Sequence, residues 1–356
     1  GSPVRNQRMF VDFPDLAPWQ NGLVFAVAAA AVWGAGTRLP RVVAAIADRT
    51  GLGEAFLGLV LLAGATELPE FATTVFAAAG GNPQLAVHNM FGGITMQTAV
   101  LAVADAVFAR GALTYFVPQS VLLLQGNLLL LLLGSIALAI AAGEPIALGW
   151  VGLSPPLLLV AYVGALWLLR VHEGDGGWRP VDPPPPVRRR SASERPENDW
   201  PKRRLVLGFA LTSLVVLLAG AALSWSADAL ATQTGLGASF VGAALLAAST
   251  SLPELSTTIA AVRMGSPAMA VSNIFGSNMI MVALLLPADL ASTDGPILRS
   301  AGDSAPMLVG AGMVVTSLYL VGMLERRDRT VLRLGYDSVG VVIVYALSLV
   351  LLYWRR

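Results

Sequence analysis

The segment LGLVLLAGATELPEFATTVFAAAGGNPQLAVHNMFGG, starting at Leu57, returns 184 residues later as VGAALLAASTSLPELSTTIAAVRMGSPAMAVSNIFGS, starting at Val241, without a gap. Leu68, Pro69 and Glu70 match Leu252, Pro253 and Glu254, and Asn89, Phe91 and Gly92 match Asn273, Phe275 and Gly276. The approach repeats too, as Gly51, Leu52 and Gly53 match Gly235, Leu236 and Gly237. Both copies lie in apolar sequence: 55% of the 356 residues are hydrophobic and only 13% are charged, about half the charged share of a soluble domain. Runs long enough to cross a hydrocarbon layer of about 30 Å fall at about 20–46, 54–79, 84–108, 117–142, 147–170, 205–225, 236–262, 267–289, 305–324 and 335–354. Such runs must be helices, which satisfy their own backbone polar groups in lipid.

Between Val171 and Arg204 the composition changes to EGDGGWRPVDPPPPVRRRSASERPENDWPKRR, too polar and proline-rich to fold alone. This linker, 171–204, separates a first five-helix repeat, 1–170 with its repeated core at about 51–105, from a second, 205–356 with its core at about 235–289. An odd number of helices per repeat sets the two in the membrane with opposite orientation. The expected fold is therefore an all-α integral membrane protein of ten transmembrane helices in two inverted-topology repeats. The positive-inside rule puts the arginine-rich linker in the cytoplasm and both termini outside; all but five of the 23 Lys and Arg (Arg5, Arg8, Arg299, Arg355 and Arg356) then lie on the cytoplasmic side. The expected location is the plasma membrane. The first residues, GSPVRNQRMF, have neither the n-region nor the h-region of a signal peptide and read as a short tail.

With no cysteine, disulfides and thiol chemistry are excluded, and only His88 and His172 remain as imidazoles. A formal net charge of +1 points to no nucleic-acid partner. The expected partners are the bilayer and inorganic cations, with no resident cofactor, and the oligomeric state is not legible. An inverted repeat interrupted at corresponding positions is the pattern of a secondary transporter with its site near the membrane midplane.

Glu70 and Glu254 sit inside apolar helices, where a carboxylate costs at least about 2.5 kcal/mol and faces a cavity or a partner. The preceding proline in each removes a backbone donor and frees carbonyls. Carboxylate, carbonyl and hydroxyl oxygens together suit a hard cation such as Ca2+.

On these residues both repeats resemble the α-repeats of the Ca2+/cation antiporter superfamily, which includes the sodium/calcium exchangers. The family's G-T-S-L-P-E-like core reads ATELPE and STSLPE here, and its G-N-x-x-G-S-N-like core reads HNMFGG and SNIFGSN. The resemblance implies that Glu70 and Glu254 are the acidic Ca2+ ligands and that Thr66 and Thr250 add carbonyl or hydroxyl oxygens. It also implies that Ser251 and Ser277 occupy hydroxyl positions of flanking sodium sites, and that Asn89, Asn273 and Asn278 belong to the second motif. Alternating access, with the first and sixth helices sliding across a fixed core, follows from the same resemblance.

The chain departs from the pattern where the family has serine, at Glu67 and Gly93, and at the late polar position, which is Gln97 in one half and Met281 in the other. A thioether does not replace a carboxylate around a hard cation. On an unbroken helix Glu67 and Glu70 lie about 60° apart in rotation, on one face. Three acids around one Ca2+ leave a net negative charge, which favours a bound proton whenever the cation is absent, so H+ coupling ranks at least with Na+. His88, just before Asn89, is a candidate relay or a simple polar contact. Asn127 and Gln125 read as interhelical hydrogen-bonding groups, Asp105 and Asp289 as solvated or capping groups near helix ends, and the run 128–133 as lipid-facing or core surface. The functional expectation is a Ca2+ antiporter exchanging against H+ or Na+ and exporting Ca2+, with no covalent chemistry. A monovalent Na+/H+ antiporter and a passive cation channel are the alternatives.

Overall fold

The computed structural model describes residues 13–81, 83–108, 111–173, 181–185, 187, 196–234, 251–292, 295–331 and 333–354. The helices are α1 (Pro18–Thr50), α2 (Ala55–Thr66), α3 (Leu68–Ala79), α4 (Pro83–Phe108), α5 (Ser120–Ala142), α6 (Ser154–Val171), α7 (Lys202–Gln233), α8 (Leu252–Arg263), α9 (Pro267–Ala283), α10 (Leu285–Ala291), α11 (Ala305–Glu325) and α12 (Tyr336–Trp354). Among the described residues eight helical stretches are long and apolar enough to span a membrane, and α2 with α3 makes a ninth that is bent by 50°. Of the tenth expected span, 236–262, residues 236–250 lie outside the described residues and the remainder is α8.

Burial separates these helices into an inner and an outer set. From Pro267 to Val282 every residue of α9 except Ile280 is buried, which explains its continuous apolar and small-residue sequence. The central helices α4 and α9 pack on each other, and α5, α11 and α12 complete one side. The two longest helices, α1 with 33 residues and α7 with 32, pack against each other and turn Leu23, Val27, Leu211 and Leu218 outward. At about 1.5 Å per residue they exceed the hydrocarbon thickness by roughly 20 Å, so they tilt or project. Each meets the opposite half through a glycine: Gly36 of α1 lies against Ser256 of α8, and Gly220 of α7 lies against Pro69 of α3, with no room at either for a Cβ. Gly36 and Gly220 are themselves 184 residues apart.

Two short antiparallel hairpins do not follow from the apolar pattern. β1 (Ala147–Leu148) pairs with β2 (Val151–Gly152), and β3 (Thr330–Val331) pairs with β4 (Leu334–Gly335). They explain Asp105 and Asp289, which are wholly buried rather than solvated. Asp105 accepts the backbone N–H of Leu113 at 2.7 Å and that of Gly335, in the second half, at 2.6 Å. Asp289 accepts the N–H of Ile297 at 2.6 Å and that of Gly152, in the first half, at 2.7 Å. Each repeat thus clasps the hairpin of the other. Asn127 is a further correction: it is exposed, and its amide donates to Leu123 O one turn back in its own helix at 2.8 Å rather than across to another helix. Gln125 is interhelical as expected, donating to Ser272 O at 3.0 Å and accepting from the Ser272 hydroxyl at 2.8 Å. The 128–133 run divides, with Leu129, Leu132 and Leu133 buried and Leu131 exposed.

Replacing Asp105 or Asp289 by alanine strands two buried N–H donors, at about 1–3 kcal/mol each. Thermal unfolding of the purified protein in detergent should show a clearly lowered midpoint for either variant. Asn127→Ala, at a surface position, should stay within about 0.5 kcal/mol of the parent.

Candidate cation site

The repeated L-P-E sequence opens a helix at the same place in both halves. Pro69 and Pro253 stand in the first turns of α3 and α8, and the residues preceding those helices, Glu67 (φ −78°, ψ −6°) and Ser251 (φ −87°, ψ 3°), share one conformation. Without an N–H at residue 69 the carbonyl four residues earlier loses its helical donor, and the chain turns by 50°. The break falls at Glu67 itself, so rotation along an unbroken helix does not describe how Glu67 and Glu70 are related. A π-helical stretch, Gly58–Leu62, precedes the break, and Gly276 of α9 lets Leu59 and Ala63 approach where a Cβ would lie 2.8 Å from Leu59 Cα.

Glu67, Glu70 and Glu254 are 1%, 2% and 0% exposed, which removes solvent as their partner. They lie close enough for their charges to act on one another. Among the described residues no Lys or Arg pairs with any of them. Gln97 Nε2 donates to Glu67 Oε1 at 2.6 Å, Ser277 stands beside Glu67, and Thr66 stands beside Glu254 while its hydroxyl donates to Ala63 O at 3.1 Å.

Among the described residues, with Ser277 nearest Glu67 and Thr66 nearest Glu254, no well-aligned donor reaches Glu67 Oε2, Glu70 Oε2, either oxygen of Glu254, Gln97 Oε1, Asn273 Oδ1 or Asn278 Oδ1. The amides are turned so that nitrogen is used and oxygen is free. Asn273 donates to Thr257 and Thr258 at 3.2 and 3.3 Å, and Asn278 donates to Thr98 at 3.0 Å. Among the described residues no three acidic or histidine side chains converge on one metal position by themselves. A divalent cation here would need two glutamates together with carbonyl, amide or hydroxyl oxygens, a hard-donor set.

Of the residues singled out from the sequence, Glu67, Glu70, Glu254, Thr66, Gln97 and Ser277 come together, Ser251 sits buried at the mirrored break, and Asn273 and Asn278 are buried on α9. Thr250 lies outside the described residues. Asn89 is half-buried and donates to Thr74 at 3.4 Å. His88 contacts the Ser304 hydroxyl at the start of α11, 2.7 Å away, rather than a glutamate, and reads as a polar contact between helices. Sequence reasoning missed the threonines that hold the amides, although Thr73 and Thr74 recur as Thr257 and Thr258 at the 184-residue offset. It also missed Tyr162 of α6, near enough to Glu67 to sense its charge, which no pattern marked.

Comparison with known proteins agrees with this geometry. The chain is 28% identical over 262 residues to inner membrane protein YrbG of Escherichia coli (strain K12), covering 71% of this chain and 74% of that protein. Its fold superposes on the sodium-calcium exchanger NCX_Mj soaked with zero Na+ and Ca2+, with a TM-score of 0.68 at 15% identity over 94% of this chain and 100% of the other. The form of NCX_Mj soaked with Na+ and Sr2+ gives a TM-score of 0.69 at 14% identity, over 94% and 99% of the two chains. The sequence profile of the sodium/calcium exchanger protein family matches residues 21–170 and again 204–354. With both halves matched and an L-P-E sequence opening a helix in each, this multi-pass membrane protein belongs to the sodium/calcium exchanger family.

Proposed function

We propose that the protein is a secondary antiporter that binds Ca2+ between Glu70 and Glu254 and exchanges it for H+ or Na+, exporting Ca2+ from the cell and making or breaking no covalent bond. The observation that carries this reading is the buried cluster of three carboxylates with free oxygens and, among the described residues, no cationic side chain beside it. Unpaired buried charge is too costly to persist, so the cluster holds a cation or protons at every stage. That obligation is exchange in outline: one positive species leaves only as another arrives. Thr66 adds oxygen ligands, and Thr250, its partner by repeat, does the same on the other side. Glu67, with Gln97 and Ser277 beside it, is the coupling group, and Ser251, Asn89, Asn273 and Asn278 line or brace the path, with His88 outside it. The long pair α1 and α7 slides across the inner helices to open the site to one side at a time. The termini face outward and the 171–204 linker faces the cytoplasm, which gathers most of the basic residues there.

Monovalent Na+/H+ exchange at the same cluster is the second reading, favoured by the absence, among the described residues, of three acidic side chains converging on one ion. Ca2+ uptake into proteoliposomes under separately imposed pH and Na+ gradients divides the two. Ca2+ flux driven by either gradient supports the proposal. Na+ moving with pH while Ca2+ stays still replaces it with the second reading, and voltage-driven current with no counter-ion dependence replaces both with a channel.

Glu70→Gln and Glu254→Gln should each reduce Ca2+ flux about 100-fold, a loss of ~2.7 kcal/mol, in protein that still elutes as the parent does. Glu67→Ser should weaken pH-driven exchange by about tenfold while Ca2+ binding, measured by equilibrium dialysis, shifts by less than about threefold. Unchanged pH coupling in that variant would remove Glu67 from the mechanism.

A further inference from the structure

The internal repeat allows the two sides of the cluster to be compared position by position. On one side stand Glu67 at the break before α3, Gln97 on α4 and Ser277 on α9. Adding 184 to the first two and subtracting it from the third gives Ser251 at the break before α8, Met281 on α9 and Gly93 on α4. The central helices exchange roles, as a two-fold axis in the membrane plane requires. The chemistry does not repeat. The first side offers a carboxylate, an amide and a hydroxyl: Gln97 and Ser277 both stand against Glu67, and Gln97 Oε1 has no donor among the described residues. The mirrored side offers a hydroxyl, a thioether and no side chain at all.

The two departures on the mirrored side also meet each other. A Cβ built on Gly93 would lie 2.9 Å from Met281 Cε, so the methionine methyl occupies the space where a side chain at position 93 would begin. Met281 is 1% exposed. Methionine fills irregular gaps well, and its sulfur is a soft, poor ligand for hard cations. A thioether packed over a glycine therefore leaves neither the volume nor the donors for a cation or its water.

We infer that the cavity has one side subsite for a coupling ion, at Glu67, and that Met281 folded over Gly93 closes the mirror-image subsite to hard cations. Met281 then sets how many counter-ions accompany each transported cation. This inference rests on the exchange reading for its meaning in transport, but the closure itself can be read without transport.

The test is the number of radioactive Na+ ions bound per molecule of purified full-length protein by equilibrium dialysis, comparing the parent with Met281→Gln/Gly93→Ser, which gives the closed side the amide and hydroxyl of the open one, and with Met281→Leu, which keeps the plug apolar. The double variant should bind one more Na+ per molecule than the parent, and Met281→Leu should match the parent. Met281→Gln alone carries the test if the double variant does not fold, with a smaller gain in the same direction. A folded Gln-containing variant that binds Na+ as the parent does, or a Met281→Leu variant that gains Na+ binding equally, overturns the inference. Ca2+ flux in the same preparations reports separately on exchange: a parent that moves no Ca2+ while the double variant gains Na+ binding refutes the Ca2+ reading and leaves the plug standing.

Discussion

Glu67, Glu70 and Glu254 are buried within range of one another's charge, and among the described residues no lysine or arginine neutralises them. A single uncompensated carboxylate in such surroundings costs several kcal/mol, and placing three together adds mutual repulsion at low effective dielectric. Among the described residues relief is partial: Ser277 stands against Glu67 and Thr66 against Glu254. Gln97 gives one hydrogen bond to Glu67, while the amide nitrogens of Asn273 and Asn278 are spent on threonines. The amides thus leave their oxygens free and bring almost no positive dipole to the acids. Such an arrangement destabilises the empty protein and stabilises any cation-loaded form, which is the thermodynamic basis for obligatory exchange.

A destabilised centre needs a firm frame, and the reciprocal clasps supply part of it. Asp105 and Asp289 each hold one donor from their own half and one from the hairpin of the other half, all within 2.7 Å. These carboxylates are also wholly buried, but two backbone N–H groups donate to each. The contrast with the central glutamates is instructive. The same residue class, equally buried and repeated at the same offset, is a structural fastener where donors converge and a cation ligand candidate where they do not. Burial and repetition alone do not separate the two; the count of donors does.

That distinction also marks what could be read in the sequence. The repeat, the inverted arrangement and the pairing of Glu70 with Glu254 were legible because a constant offset and a proline-glutamate pair are local patterns that lipid makes costly to carry without use. The roles of Asp105, Asp289, Asn127 and His88 were not, because each depends on which backbone group or helix end comes within 3 Å in three dimensions. The hairpins that satisfy the aspartates are two-residue strands, too short to leave an alternating signal. Glu67 was legible as an anomaly, yet its placement was not, since the helix turns at that residue and a helical wheel presumes that it does not.

The repeat also constrains how such a frame can move. Gly36 and Gly220, equivalent by the offset, set α1 against the small Ser256 side chain of α8 and α7 against the Pro69 ring of α3. Each long helix therefore touches the proline-broken helix of the opposite repeat, close to where Glu254 and Glu70 begin their turns. A contact between a glycine and a smooth neighbour has few interlocking side chains to unseat, whereas the inner helices interdigitate large ones, Phe275 against Tyr319 among them. Close packing resists small deformations but permits one rigid layer to slide over another where the interface lacks knobs. The outer pair is also held to each other along most of its length, so α1 and α7 would travel as one body. The repeat gives each proline-containing helix the same neighbour, α1 on α8 and α7 on α3.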